Sequence, residues 1–142
     1  MFSREESKKL TQEFWTTFGK KYERQWILYN TKIKEIQMKF TFDRKIAQVS
    51  LDISSSDPVI QEYYYEKLIS LKKMLKSEYL PQARFEENYL LPEGKTVSRI
   101  YVQLDNVSIH NKNDWQQVQA FLAENMLKME TFFRDFEDFI RS

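Results

Sequence analysis

Cysteine is absent from this chain, histidine occurs once (His110) and glycine twice (Gly19, Gly94) in 142 residues. Without cysteine there are no disulfides, no thiolate nucleophile and no thiolate metal cage, which agrees with a reducing compartment. One histidine leaves metal binding to carboxylates, a donor set suited to magnesium or calcium, and no Asp-rich loop of calcium-site spacing is present. The two glycines lie 75 positions apart, so no glycine-rich loop can cradle a phosphate. No apolar run approaches the ~20 residues of a membrane span. The start Met1-Phe2-Ser3-Arg4-Glu5-Glu6 carries no apolar export signal, and a cytoplasmic location is expected.

What the chain does have is aromatic residues: eleven Phe, eight Tyr and three Trp, within 42% hydrophobic and 30% charged residues. That composition predicts one globular domain, residues 1–142, with a core of its own. The formal net charge of +1 conceals an uneven distribution. Between Lys20 and Lys45 eight basic residues (Lys20, Lys21, Arg24, Lys32, Lys34, Lys39, Arg44, Lys45) face three acids (Glu23, Glu35, Asp43). From Asp114 onward the balance reverses.

Ser3 and Glu6 form a capping box, and Leu10, Phe14 and Phe18 recur on one face, so a helix is predicted from about Arg4 to Phe18 with Gly19 as its C-cap. Trp26-Ile27-Leu28-Tyr29 reads as a short buried strand. Alternation of Ile36, Met38, Phe40 and Phe42, then of Ala47, Val49, Leu51 and Ile53, predicts a hairpin with one dry face and one wet face. Asp57-Pro58 opens a second helix carrying Ile60, Tyr64, Leu68, Leu71 and Leu75, which Pro81 closes. Strands near Phe85–Leu91 and Val97–Leu104 flank the turn Pro92-Glu93-Gly94. Asn113 and Gln116 are read as the start of a last long helix whose stripe includes Trp115, Val118, Leu122, Met126, Met129, Phe133, Phe136 and Ile140. Phe121, Phe132 and Phe139 form its second apolar flank.

The predicted fold is therefore α+β, two layers, with a largely antiparallel five-stranded sheet, helices on one face and the order α-β-β-β-α-β-β-α. Alternating strands imply that the opposite face is open. It would be lined by Gln37, Lys39, Thr41, Gln48, Ser50, Arg99, Tyr101 and Gln103, and Lys39, Gln48, Arg99, Tyr101 and Gln103 are the candidate binding residues there.

Candidate chemistry is sparse. His110, in the loop Ser108-Ile109-His110-Asn111-Lys112-Asn113, has a serine close by, yet a loop histidine more often bonds backbone or a helix end. The order α-β-β-β-α-β also suggests a metal-dependent nuclease, for which Glu13, Asp43 and Asp52 would supply carboxylates. The third strand, however, continues Asp52-Ile53-Ser54 and lacks the lysine two residues on that would assist water activation. The basic tract interleaves Tyr22, Trp26 and Tyr29, a mix able to hold a phosphate backbone and stack bases. Its plainer reading is a solvated surface around core aromatics.

The segments Phe14-Trp15-Thr16-Thr17-Phe18-Gly19-Lys20, Trp26 to Lys34, Ser108 to Trp115 and Glu137-Asp138-Phe139-Ile140 together resemble a bacterial domain-of-unknown-function family, the one numbered 4268. That resemblance implies no established activity. It implies cytoplasmic proteins that stand alone or accompany nuclease-like segments, and it makes His110, Asn111, Lys112 and Asn113 a candidate binding loop beside a helix start.

The resulting expectation is a non-enzymatic binding domain with no catalytic residue, metal site or cofactor. Its first form is a protein-interaction module or homodimer using the open face or the Phe-rich helix. Its alternatives are a nucleic-acid accessory module using Lys20 to Lys45 with Lys112, and a vestigial or weakly active magnesium-dependent nuclease-like fold.

Overall fold

In the computed structural model, which describes residues 2–142, the first helix α1 spans Arg4–Lys21 and opens on the expected reciprocal bonds: Glu6 N–H to Ser3 Oγ at 3.1 Å and Ser3 N–H to Glu6 Oε1 at 3.2 Å. Gly19 is not its cap. The helix runs through Gly19 and ends at Tyr22, whose N–H bonds the Phe18 carbonyl. Phe14 and Phe18 are its buried pair.

The strands are β1 (Ile36–Phe42), β2 (Ile46–Ile53), β3 (Arg84–Leu90) and β4 (Thr96–Asp105), in the order β1-β2-β4-β3, every neighbour antiparallel. Among the described residues there are four strands rather than five. Trp26–Tyr29 forms no strand: Trp26 and Ile27 are irregular and Leu28–Tyr29 is a turn, because a side chain distant in sequence binds the segment. Glu130 draws the segment onto the last helix, with Oε2 accepting from Ile27 N–H and Oε1 from Arg24, both at 2.6 Å. The Arg24 guanidinium lies 4.3 Å over the Trp26 ring, and Leu28 and Lys32 take positive φ values of 48° and 68°, incompatible with a strand.

The predicted second helix is two. Helix α2 (Pro58–Ser70), capped by Asp57 Oδ1 on Val59 N–H, is separated from α3 (Lys72–Glu78) at Leu71, where φ −98° and ψ 3° break the ladder. Of its expected stripe, Leu68 and Leu75 are buried while Ile60 stays 39% exposed. The start of the last helix also differs: Asn111 Oδ1 accepts from Asn113 N–H to cap a 3-10 turn (Lys112–Asp114), which leads into α4 (Trp115–Arg141). The observed order is thus α-β-β-α-α-β-β-α, mixed helix and sheet as expected but with four strands and four α-helices among the described residues in place of five and three.

Helices cover the apolar sheet face. Phe14 contacts Phe18, Phe42 and Trp115 edge-on or stacked, and Val118, Leu122, Met126 and Phe133 of α4 are buried in the same cluster as Val49, Leu51 and Ile100. The second flank of α4 is mostly used within the chain: Phe132 is buried against Tyr79 and Phe136, Phe121 is half-buried, and Phe139 alone of the three is exposed. No helix among the described residues is long and apolar enough to cross a membrane.

A candidate binding cleft over the polar sheet face

The polar face is not open as the alternation implied. Gln37 and Lys39 are exposed at the β1 edge, and Thr41 and Gln103 are half-buried, but Gln48, Ser50, Arg99 and Tyr101 are buried. Tyr89 of β3 lies across their ends: its ring is 4.3 Å from the Arg99 guanidinium and 5.4 Å from the Tyr101 ring. A register shift between Glu86 and Tyr89 makes this possible by bending the strand.

Beneath Tyr89 the side chains form one bonded constellation. Register places Asp52 opposite Arg99, and the guanidinium grips the carboxylate with two bonds, Nε to Oδ1 at 2.7 Å and Nη2 to Oδ2 at 2.8 Å. Arg99 Nη1 donates to Gln48 Oε1 at 2.8 Å, and the Gln48 amide donates in turn to Gln103 Oε1 at 2.6 Å and Tyr89 Oη at 3.0 Å. Burial opposes the Arg99 charge, yet the hydrogen bonds and charge of Asp52 outweigh it and hold the group above its usual pKa. Burial, then the hydrogen bond to Glu86, likewise pushes the Tyr101 phenol up. Two hydroxyls of this face, Thr41 Oγ1 and Ser50 Oγ, are shielded from solvent and have no partner among the described residues.

A cleft of about 510 Å³ opens on this constellation. Its floor includes Thr41, Gln48 and Arg99; Trp15, Phe40 and Phe42 bound it at one side, and Tyr89, Leu90 and Leu91 at the other. Lys39 stands at the rim without an ion pair among the described residues. Such a lining, apolar walls around a few fixed polar groups, is the usual make-up of a binding pocket.

The other candidates lie elsewhere. His110 Nε2 is 2.7 Å from Ser7 Oγ on α1, not from a loop serine, and the Phe2 ring packs on the imidazole at 4.3 Å. Lys112 pairs with Glu13 at 2.7 Å, Asn111 is spent on its cap, and Asn113 is exposed. Loop and helix are therefore clasped together, away from the cleft. The three supposed nuclease carboxylates are also apart and engaged: Glu13 with Lys112, Asp43 Oδ1 with the N–H groups of Lys45 and Ile46, Asp52 with Arg99. No three His, Asp or Glu side chains among the described residues are grouped so as to hold a metal ion. The basic tract divides among the end of α1, the Glu130 latch, the cleft rim and the β1–β2 turn.

Tyr89 and Asp52 were not among the candidate face residues, although Asp52 continues the Gln48, Ser50 alternation. Tyr89 carries no sequence signal, because a bulge sets its direction.

A family model described as Domain of unknown function (DUF4268) matches residues 10–137. The chain belongs to that family. The DUF4268 match contains every cleft residue from Trp15 to Arg99 and leaves Ser7 outside it. No curated protein and no solved structure matches this DUF4268 chain.

Proposed function

We propose that this DUF4268 chain is a protein-interaction module whose partner binds in the cleft between β1 and the tip of the β3–β4 hairpin. The observation that carries this reading is the buried polar constellation at the cleft floor. A buried ion pair is seldom more stabilising than well-packed apolar residues of the same volume, so stability alone does not account for Asp52, Arg99 and Gln48 in the centre of a sheet. What they provide is a fixed set of polar groups below a partly apolar rim. That rim has the aromatic and aliphatic character of an interface, with Trp15 and Tyr89 beside Leu90, which is 65% exposed.

The test is selection of displayed random peptides against the folded protein, followed by mapping of amide shifts. Enriched peptides are expected to move the amides of Lys39 to Phe42, Gln48 and Tyr89 to Leu91. Lys39→Glu and Leu90→Asp, both at exposed positions, should abolish binding and leave the melting temperature unchanged. Selection of no peptide, or of peptides indifferent to both substitutions, would defeat the reading.

A further inference from the structure

Resting on that reading, we infer that the partner docks as an added strand on the free edge of β1 at Phe40–Phe42. Backbone accounting leads there. Asp43 N–H bonds the Ile46 carbonyl and Ser54 N–H the Glu35 carbonyl, so the odd-numbered residues of β1 face β2 and the even-numbered ones point outward. Two outward N–H groups are closed within the chain: that of Ile36 bonds the Ile33 carbonyl at 3.0 Å, and that of Met38 bonds the Leu28 carbonyl at 2.9 Å. Thr31 Oγ1 closes the Ile36 carbonyl at 2.7 Å. The main-chain groups of Phe40 and Phe42 have no partner among the described residues, and both residues line the cleft. Paired donors and acceptors at that spacing are matched by an extended backbone and by little else.

The edge also states the partner's chemistry. In an added strand, residues opposite Phe40 and Phe42 direct their side chains to the helix side of the sheet, where Trp15 completes an apolar wall. Residues opposite Lys39 and Thr41 fall on the polar side. There Lys39 offers an unpaired ammonium and Thr41 a shielded hydroxyl without a partner. The occupant is an extended segment of a partner protein in which aliphatic residues alternate with a carboxylate and a hydroxyl. The sheet's other edge is defended differently: β3 is interrupted by its bulge and exposes Glu86 and Glu87.

A capped peptide alternating Val with Glu and Thr is the probe, with amide exchange as the readout. Strand addition predicts that the peptide slows exchange at Phe40 and Phe42. N-methylation of the Val residues, whose N–H groups face β1, should weaken binding by roughly tenfold or more, through one lost inter-strand bond and a steric clash. N-methylation of Glu or Thr should not. Lys39→Glu should reverse the preference from a Glu-bearing to a Lys-bearing peptide. Unchanged exchange at Phe40 and Phe42 with peptide at about 1 mM, the weak end of transient recognition, would overturn the proposal. So would a dimer mass in light scattering with both amides protected before any peptide is added, which would assign the edge to a second copy. Displayed peptides that shift Gln48 and Tyr89 but leave those two amides exchanging freely would overturn strand addition alone and leave the interaction module standing.

Discussion

Replacing Arg99 by Met leaves the Asp52 carboxylate, only 1% exposed, with no hydrogen-bond partner, and strips Gln48 Oε1 of its donor. Removing one member of a buried pair typically costs about 3–5 kcal/mol, and this variant belongs at the upper end because two acceptors are orphaned. Asp52→Leu belongs at the lower end, since Arg99 keeps Gln48 and the Tyr89 ring and borders the cleft. For a chain of this size the drop corresponds to roughly 10–15 °C in melting temperature. Combining the two substitutions removes both charges and leaves only Gln48 Oε1 unsatisfied, at about 1–3 kcal/mol. The double variant is therefore expected within about 3 kcal/mol of the parent, with a coupling energy of several kcal/mol. Urea unfolding followed by circular dichroism measures all four corners of the cycle. If the double variant loses the sum of the two single losses, the side chains are not the coupled unit argued above.

Glu130→Ala removes both anchors of the Trp26 loop, Arg24 and Ile27 N–H, and should cost about 2–3 kcal/mol in urea unfolding; Glu130→Gln should recover part of it. The same substitution frees Leu28, so the Met38 amide is expected to exchange faster, and an unchanged rate would show that Glu130 does not hold that loop. Ser7→Ala deletes the clasp to His110 and should lower stability by about 0.5–1.5 kcal/mol without changing peptide affinity. Glu6 lies below its ordinary pKa through the backbone and side chain of Ser3, and Glu137 through Arg141 and Arg134. A carboxylate whose folded pKa is depressed contributes stability above its unfolded pKa and loses it as pH falls through the folded value. Acid titration by NMR should therefore place both midpoints below those of the same glutamates in unfolded peptides, and midpoints at or above them would contradict the assigned bonds.

Strand alternation made β1, β2 and β4 legible, because a sheet with helices on one face enforces period two at every residue pointing to that face. Ser3–Glu6 was legible for the same local reason: both partners of the cap lie within one turn. Where side chains distant in sequence decide the outcome, the local pattern misleads. Trp26–Tyr29 is as apolar as a buried strand, but Glu130, about a hundred residues on, accepts from the Ile27 N–H and holds the segment as a loop. The polar face shows the limit most directly. Gln48, Arg99, Tyr101 and Gln103 were identifiable as one surface, yet polarity alone could not say that Tyr89 would cover them, since the bulge that redirects it has no composition of its own. Gly19 looked like a helix terminator and is not one, because Phe18 buries on the same face whether or not the helix continues past it.

The Trp26 loop and the bulge in β3 act on the same place. The Trp26 loop, held by Glu130, delivers the Leu28 carbonyl to Met38 and so decides where the free edge of β1 begins. Tyr89, turned inward by the bulge in β3, limits the other side of the cleft and holds Gln48 and Arg99 in place beneath it. An exposed edge is ordinarily an aggregation hazard that a sheet blunts along its whole length. Here its outward N–H groups are bonded at Ile36 and Met38 and, among the described residues, left without a partner at Phe40 and Phe42, beside fixed polar groups and an aromatic wall. On the proposed reading, an edge of this length admits a short extended segment and is too short to start an open-ended stack of chains.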